Sequence, residues 1–514
     1  MSSDEKRREL DGSSSEPDTN ANSPKMALGE EKQQQQQQQQ DPSKEYLVEW
    51  DGDNDPLDPR TFSATRKWLY LIIVSMGSLL VTATSSLYSS CYEQLIEKFG
   101  CSQEIVTLGL SLYVLGLGIG PLIFSPLSEF YGRRPIYIVS TVFFLIWLIP
   151  CAAAQNIETL LVARFLNGLS GGAFLGVAGG TVVDMFVPQQ LLLPMTIFTG
   201  APFVGPALGP LIGGFINSFT NWRWSFYVLI IWGAVILVCV LFVPETFHPI
   251  LLAKKAEACR QSTNNSQYHS ASEIARASKT LTQALMASLF VPFQLLFLDP
   301  MILALSAYTS LIQGILYLFF GAFPLVFGRN HGFNLWQVGL TFLGLLIGNF
   351  VACMFNPYWH KNWMGLIQKM KAKHGADYKP EPELRLPPAL IGSVMVTVTL
   401  FWFAWTSFSS VHWIVPIIAT VFFSTGFFFV FQGLWTFLMA AYPKYAASAM
   451  AVNTTTRCIF AAAFPLFTDQ MYNNLGFEWA SSLLAFLTLV ILPFPYIFYR
   501  YGKSLRMRSK FASG

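Results

Sequence analysis

Two arginines, Arg164 and Arg457, stand inside long apolar runs of this sequence, where a charged side chain costs about 2.5 to 3.5 kcal/mol on insertion scales. A residue kept at that cost is a candidate for proton coupling or for control of conformation. Arg164 also has a plainer reading, because it stands only one or two turns into its run and could snorkel to the interface. The acid nearest to such a position is Asp184, twenty residues beyond Arg164. At 1.5 Å per residue that is about 30 Å of helix, so the two are not expected to pair. Glu93, Glu104 and His412 lie near run ends and read more simply as hydrated interface residues. Four uncharged polar residues sit at depth: Gln313 and Tyr317, four apart on one helical face, with Gln432 and Asn453. Such groups suit the orienting of a ligand in an apolar site, and they suit hydrogen bonds between helices equally well.

Other chemistries find no support. The seven cysteines, Cys91, Cys101, Cys151, Cys239, Cys259, Cys353 and Cys458, are scattered without CxxC spacing or neighbouring histidines, which argues against a metal site or a disulfide framework. The spans carry no HExxH and no histidine cluster, so neither an enzyme nor a cofactor is expected. The 33 basic and 30 acidic residues nearly cancel, which argues against a nucleic-acid partner.

The elements that must position these residues are helices in lipid. Of 514 residues, 53% are hydrophobic and 12% charged, against about 25% charged in an ordinary soluble domain. Crossing a hydrocarbon core of about 30 Å takes roughly 20 residues. Apolar runs of that length begin near Trp68, Glu104, Ile136, Thr159, Leu193 and Trp224, and again near Met301, Trp336, Ala389, Val411, Ala446 and Trp479. The reading is therefore an all-α integral membrane protein of twelve spans in two six-helix halves, 68–247 and 301–500, surrounded by membrane lipid. Between them, 248–300 reads as a cytosolic linker, and 501–514 as a cytosolic tail. Residues 1–67 are polar, include the glutamine tract Gln33–Gln40 and show no secretory signal, so they read as a disordered cytosolic tail. With the N-terminus in the cytosol, 19 Lys and Arg of the loops and C-terminal tail fall on the cytosolic side against Lys98, Arg223 and Arg329 on the other. That bias puts both termini in the cytosol.

Two spans are built to pack closely. The fourth carries Gly168, Gly172, Gly176 and Gly180, a glycine at every fourth position, which lays a groove free of side chains along one face. The fifth carries Gly205, Gly209 and Gly213 interleaved with Pro202, Pro206 and Pro210. Each proline removes a backbone donor and favours a bend, so this helix is expected to pack tightly and still flex.

These stretches resemble the major facilitator superfamily, and within it the fungal 12-span drug:proton antiporter family. Gly120-Pro121-Leu122 followed by Ser125-Pro126-Leu127-Ser128-Glu129-Phe130-Tyr131-Gly132-Arg133-Arg134 is similar to the signature between the second and third spans, with Ser125 in place of the usual glycine and Glu129 in place of the usual aspartate. Arg164-Phe165-Leu166-Asn167-Gly168 resembles the arginine motif that the family associates with proton coupling. Gly200 with Gly205-Pro206-Ala207-Leu208-Gly209-Pro210-Leu211-Ile212-Gly213-Gly214 is similar to the antiporter signature of exporters. Trp222-Arg223-Trp224, Pro244-Glu245-Thr246 and Arg457 with Phe464-Pro465-Leu466-Phe467 are further points of likeness, and Ser509-Lys510-Phe511 a fainter one.

The resemblance implies a proton-coupled antiporter of the plasma membrane that exports small lipophilic or cationic compounds by alternating access, with a polyspecific site near the midplane between the halves. Arg133 and Arg134 would latch the cytosolic ends of the spans by pairing with Glu129 and with helix C-termini. Related exporters often place a glutamate near the end of the seventh span, where this chain reads Phe320-Gly321-Ala322-Phe323-Pro324; that departure weakens the expectation of a cation. The competing readings are a nutrient or sugar facilitator of the same fold, which the fifth-span signature disfavours, and a membrane sensor, for which no large structured domain is evident.

Overall fold

The computed structural model describes residues 46–52, 55–187, 190–271, 273, 280–375, 380–443, 445–509 and 511–512. The glutamine tract Gln33–Gln40 lies outside the described residues, as do Arg276, Lys279, Lys379, Lys444 and Lys510 of the charge count.

Eleven helices among the described residues are long and apolar enough to cross a membrane. In the first half they are α1 (Ala64–Phe99), α2 (Gln103–Tyr131), α3 (Arg133–Ala153), α4 (Ile157–Met185), α5 (Leu192–Phe219) and α6 (Trp222–Leu241). In the second half α7 (Pro300–Asn330), α8 (Leu335–His374), α9 (Pro387–Thr406) and α10 (Ile414–Ala441) precede α11 (Ala446–Ala463) and α12 (Phe477–Arg508). The helix that fails the apolarity criterion is α11, because Asn453, Thr454, Thr455, Thr456 and Arg457 stand in its middle. It continues through a tight turn, Phe464–Phe467, into a further helix Thr468–Leu475. Polar content is tolerated there because the helix is packed inside the bundle against α2, α7 and α10 rather than against lipid. The helix starts lie within four residues of those read from sequence, the widest gap being Trp68 against Ala64.

Local chemistry fixes the boundaries. The Asn156 side chain accepts from the Thr159 N–H at the start of α4 and Asn221 from the Arg223 N–H at the start of α6, satisfying donors that a helix N-terminus leaves free. Asp299 caps α7 by accepting from Met301 N–H at 3.0 Å. Between α2 and α3 the chain turns at Gly132 with φ of 99°, a left-handed conformation that a side chain would strain.

The glycine ladders are the contacts they were read to be. A Cβ on Gly168 would stand 2.0 Å from the Tyr113 carbonyl oxygen, and one on Gly172 would stand 2.6 Å from the Cα of Gly120, so α4 lies backbone to backbone on α2. On α5, Gly205 and Gly209 seat against Thr82, Ala83 and Leu87 of α1. Pro202, Pro206 and Pro210 fall inside α5 without interrupting it.

The described residues nearest the two termini and the segment joining the halves lie at one end of the bundle, the terminal face. That joining segment includes the helices His248–Thr263 and Leu281–Leu298. The first is pinned by a strap from the N-terminal side: Val48 N–H donates to His269 O at 2.9 Å, His269 N–H to Tyr46 O at 3.0 Å, and Lys255 Nζ holds Asp55 at 2.6 Å and Asp51 at 2.8 Å. The second lies across α2 and α11 and shows Phe290, Phe293 and Phe297 at its surface, a composition suited to the lipid interface.

Candidate functional site

At the terminal face a cavity of about 640 Å³ opens between the halves. Its first wall is the start of α5, from Leu191 to Phe203, and facing it are the far end of α8 (Asn356, Trp359, His360, Trp363) and α10 from Phe428 to Ala440. The floor is aromatic. Phe203 stacks on Trp435 at 5.6 Å and meets Phe427, Phe428 and Phe431 at 5.3 to 5.8 Å. A polar chain runs down one side, in which Gln432 donates to Asn356 and Asn356 to Thr196. An apolar cleft with a few aimed polar groups takes up amphipathic small molecules.

At the opposite face the same seam is shut. A Cβ on Gly339 of α8 would stand 2.7 Å from the Pro210 carbonyl oxygen and 3.4 Å from the Cα of Gly214, so α5 and α8 touch main chain to main chain. The Ser85 and Tyr317 hydroxyls lie 3.0 Å apart, Ser111 Oγ donates to Ala462 O at 2.5 Å, and Gln470 reaches Glu104 at 3.4 Å. Gly213 faces Leu87 and Ser90 of α1, while a Cβ on Gly200 would stand 3.3 Å from Cys353 Sγ of α8. The small residues of α5 thus serve both seams.

The two intramembrane arginines differ. Arg164 is fully buried: it donates to Gly109 O at 3.3 Å, Thr84 O at 3.0 Å and Ser85 O at 3.4 Å, and Tyr88 and Tyr113 sandwich its guanidinium at 4.4 Å each. Carbonyl oxygens and aromatic faces therefore stand where an acid would. Arg457 stands eleven residues past Ala446, about 17 Å along its helix and so near mid-bundle. Its Nη2 makes a long bond of 3.3 Å to Thr454, its Nε has no hydrogen-bond partner, and Phe431 and Trp435 cover it at 5.1 and 4.8 Å.

Asp184 belongs elsewhere. As its distance along α4 requires, it does not meet Arg164; Arg133 Nε donates to it at 3.2 Å across the terminal face. Glu129 is exposed at the end of α2, and a second carboxylate, Glu245, organises the Gly132 turn. Glu245 accepts from the Arg133 N–H at 2.9 Å, the Arg134 N–H at 3.2 Å and the Thr246 and Phe247 N–H groups at 2.9 Å. A Cβ on Gly132 would stand 2.2 Å from its Oε2, so the glycine clears room for the acid. The helix-terminus contact is present: Arg134 Nη2 donates to Leu241 O at 2.9 Å, at the end of α6. Arg133 also holds Ser128 Oγ at 2.6 Å and lies 4.6 Å over Phe247. Gly180 makes space for its guanidinium as Gly120 does for α4.

Of the four polar residues read at depth, Gln432 lines the cavity. Asn453 stands just behind it, accepting from the Trp435 indole N–H at 3.2 Å and donating to Thr309 at 2.8 Å. Tyr317 is engaged at the shut seam, and Gln313 on the same face of α7 is outside the cavity wall with a buried Oε1 that no donor meets. Phe203, Trp359, Trp363, Arg385 and Glu245 were not singled out as site residues. Only Glu245 carried a signal, through the Pro244-Glu245-Thr246 stretch, since aromatic residues in a membrane chain are too common to mark a wall.

The signature of the Major Facilitator Superfamily matches residues 74–465. The chain is 49% identical to the efflux pump atB of Aspergillus terreus, over 91% of this chain and 90% of that one. It is 42% identical to the major facilitator superfamily multidrug transporter mdrA of Aspergillus fumigatus, over 91% and 76%. Against the probable drug/proton antiporter YHK8 of Saccharomyces cerevisiae the identity is 37%, over 89% and 88%. The proton:xylose symporter XylE, solved with 6-bromo-6-deoxy-D-glucose, superposes with a TM-score of 0.59 at 14% identity, over 86% of this chain and 96% of that one, a likeness of fold.

Proposed function

The chain belongs to the major facilitator superfamily, and from that premise we propose that it is a proton-coupled antiporter exporting small amphipathic compounds from the cytosol. The observation that carries the reading is the cavity of about 640 Å³ between the halves, open at the terminal face while the α5–α8 seam is shut at the other. That is the form of an alternating-access carrier waiting to load. The names of relatives such as the efflux pump of Aspergillus terreus and the probable antiporter of Saccharomyces cerevisiae support export and proton coupling. Arg133, Arg134 and the arginines of the joining segment and C-terminal tail support a cytosolic terminal face, and the plasma membrane is the membrane that export requires.

In this reading Asp184 and Arg133 form the latch that proton entry loosens. Protonating the Asp184 carboxyl removes the charge that Arg133 faces at 3.2 Å and frees the turn between α2 and α3 from the end of α4. Arg164 acts as a strut, tying α4 to α1 and α2 through their carbonyl oxygens. The test is uptake into everted membrane vesicles. A lipophilic fluorescent compound accumulates when the vesicle interior is acid and stops when the gradient is collapsed; accumulation that ignores the gradient removes the antiport reading.

A further inference from the structure

Resting on the efflux reading, we propose that the compounds exported are organic anions, a carboxylate or acidic phenol on an apolar body, and that Arg457 holds their charge. The membrane interior of the described residues contains two cations and no comparably placed acid. The carboxylates of the spans, from Glu93 to Glu478, sit toward helix ends. Arg164 is satisfied where it stands, by three carbonyl oxygens and two tyrosine faces. Arg457 is not: it is 92% buried, its Nε lacks a partner, and among the described residues no carboxylate pairs with it. A guanidinium presents five N–H donors in a planar fork that matches a carboxylate, and here most of the fork is unspent.

The surroundings say how such a ligand would arrive. Trp435 covers Arg457 at 4.8 Å and also lines the cavity, stacked on Phe203. An aromatic acid entering from the terminal face therefore finds π surface on Phe203, Phe431 and Trp435, with the cation directly behind the indole. The mouth has the same sign. Arg385, stacked over Trp363 at 4.7 Å, lines it, and among the described residues no Asp or Glu lines the cavity. A cleft whose charges share one sign concentrates ligands of the opposite sign. A lipophilic cation would gain the same aromatic contact and meet an uncompensated positive charge at the end of it.

Three probes of one shape separate these cases: 2-naphthoate, its neutral amide, and 2-naphthylmethylammonium. Equilibrium binding is measured on the full chain in lipid nanodiscs, and proton-driven uptake of the same probes is measured in proteoliposomes. Naphthoate is expected to bind about tenfold or more tighter than the amide, the scale of one charge-assisted hydrogen bond, with the ammonium weakest. Arg457→Gln should bring the naphthoate-to-amide ratio near one, while Arg457→Lys, which keeps the charge, should keep naphthoate first. Equal binding of amide or ammonium and naphthoate, no naphthoate binding, or a preference that survives Arg457→Gln would each overturn the assignment. Proton-driven uptake of the amide or ammonium without naphthoate binding would remove the anion site and leave efflux standing. Arg457-dependent naphthoate binding with no proton-driven flux of any probe would do the reverse.

Discussion

Arg164 is held by main-chain oxygens on two other helices, and that decides what its replacement does. Lysine keeps the charge but offers one ammonium, which cannot span Gly109 O on α2 and Thr84 O and Ser85 O on α1 while lying between two tyrosine rings. A buried carbonyl left without its donor costs about 1–3 kcal/mol, so Arg164→Lys should lower the unfolding temperature of the detergent-solubilised chain and abolish proton-driven flux. Wild-type stability and flux in that variant would mean that the strut is not needed. The need for some role was legible in the sequence, because an arginine at that depth is expensive. Its partners were not, since carbonyl oxygens on other helices leave no mark in residue types. The same limit hides further partners of Arg133: Asp184 and Glu245 contact it from 51 and 112 residues away, brought in by the ends of α4 and α6.

At the scale of elements, hydropathy carried most of the fold: helix starts and the close-packed faces of α4 and α5 follow directly from apolar runs and glycine spacing. The strap over the joining segment was not legible, because 46–62 and 248–273 are polar stretches joined by side chains and a single bridge rather than by any periodic pattern. Its electrostatics make it testable. The Lys255 ammonium beside Asp55 holds that carboxyl below the usual carboxylate range, and Asp51 and Asp55 together hold the lysine above its ordinary value despite the burial that opposes its charge. A carboxyl depressed in the folded state adds stability that is present above its unfolded value and is lost as pH falls through the folded one. The strap should therefore stay docked at neutral and mildly acid pH and release only below about pH 4. Lys255→Met should release it at pH 7. Hydrogen exchange at the Val48 and His269 amides, which carry the bridge, reports both, and protection unchanged in Lys255→Met would show that the ion pairs do not hold the strap.

For the whole molecule, the arrangement open at one face and shut at the other has to invert for export to occur, so the shut seam must open. Between α5 and α8 that seam is glycine on main chain: Gly214 and Gly339 approach so closely that a Cβ on the second would stand 3.4 Å from the Cα of the first. A disulfide needs Cβ atoms about 3.5–4.5 Å apart, which this site can provide with slight adjustment of two helices. In a background lacking the seven native cysteines, Gly214→Cys with Gly339→Cys should cross-link under mild oxidant and lock the face opposite the termini. Proton-driven flux should stop on oxidation and return on reduction. Ligand binding from the terminal face should persist, because the cavity lies at the other end of α5 and α8. That pairing of results separates a locked carrier from a damaged one, since damage would remove binding as well and would not reverse. Flux that continues through the cross-linked protein would mean that substrate leaves by a route that does not part α5 from α8, and the seam would then be a static weld between the two halves.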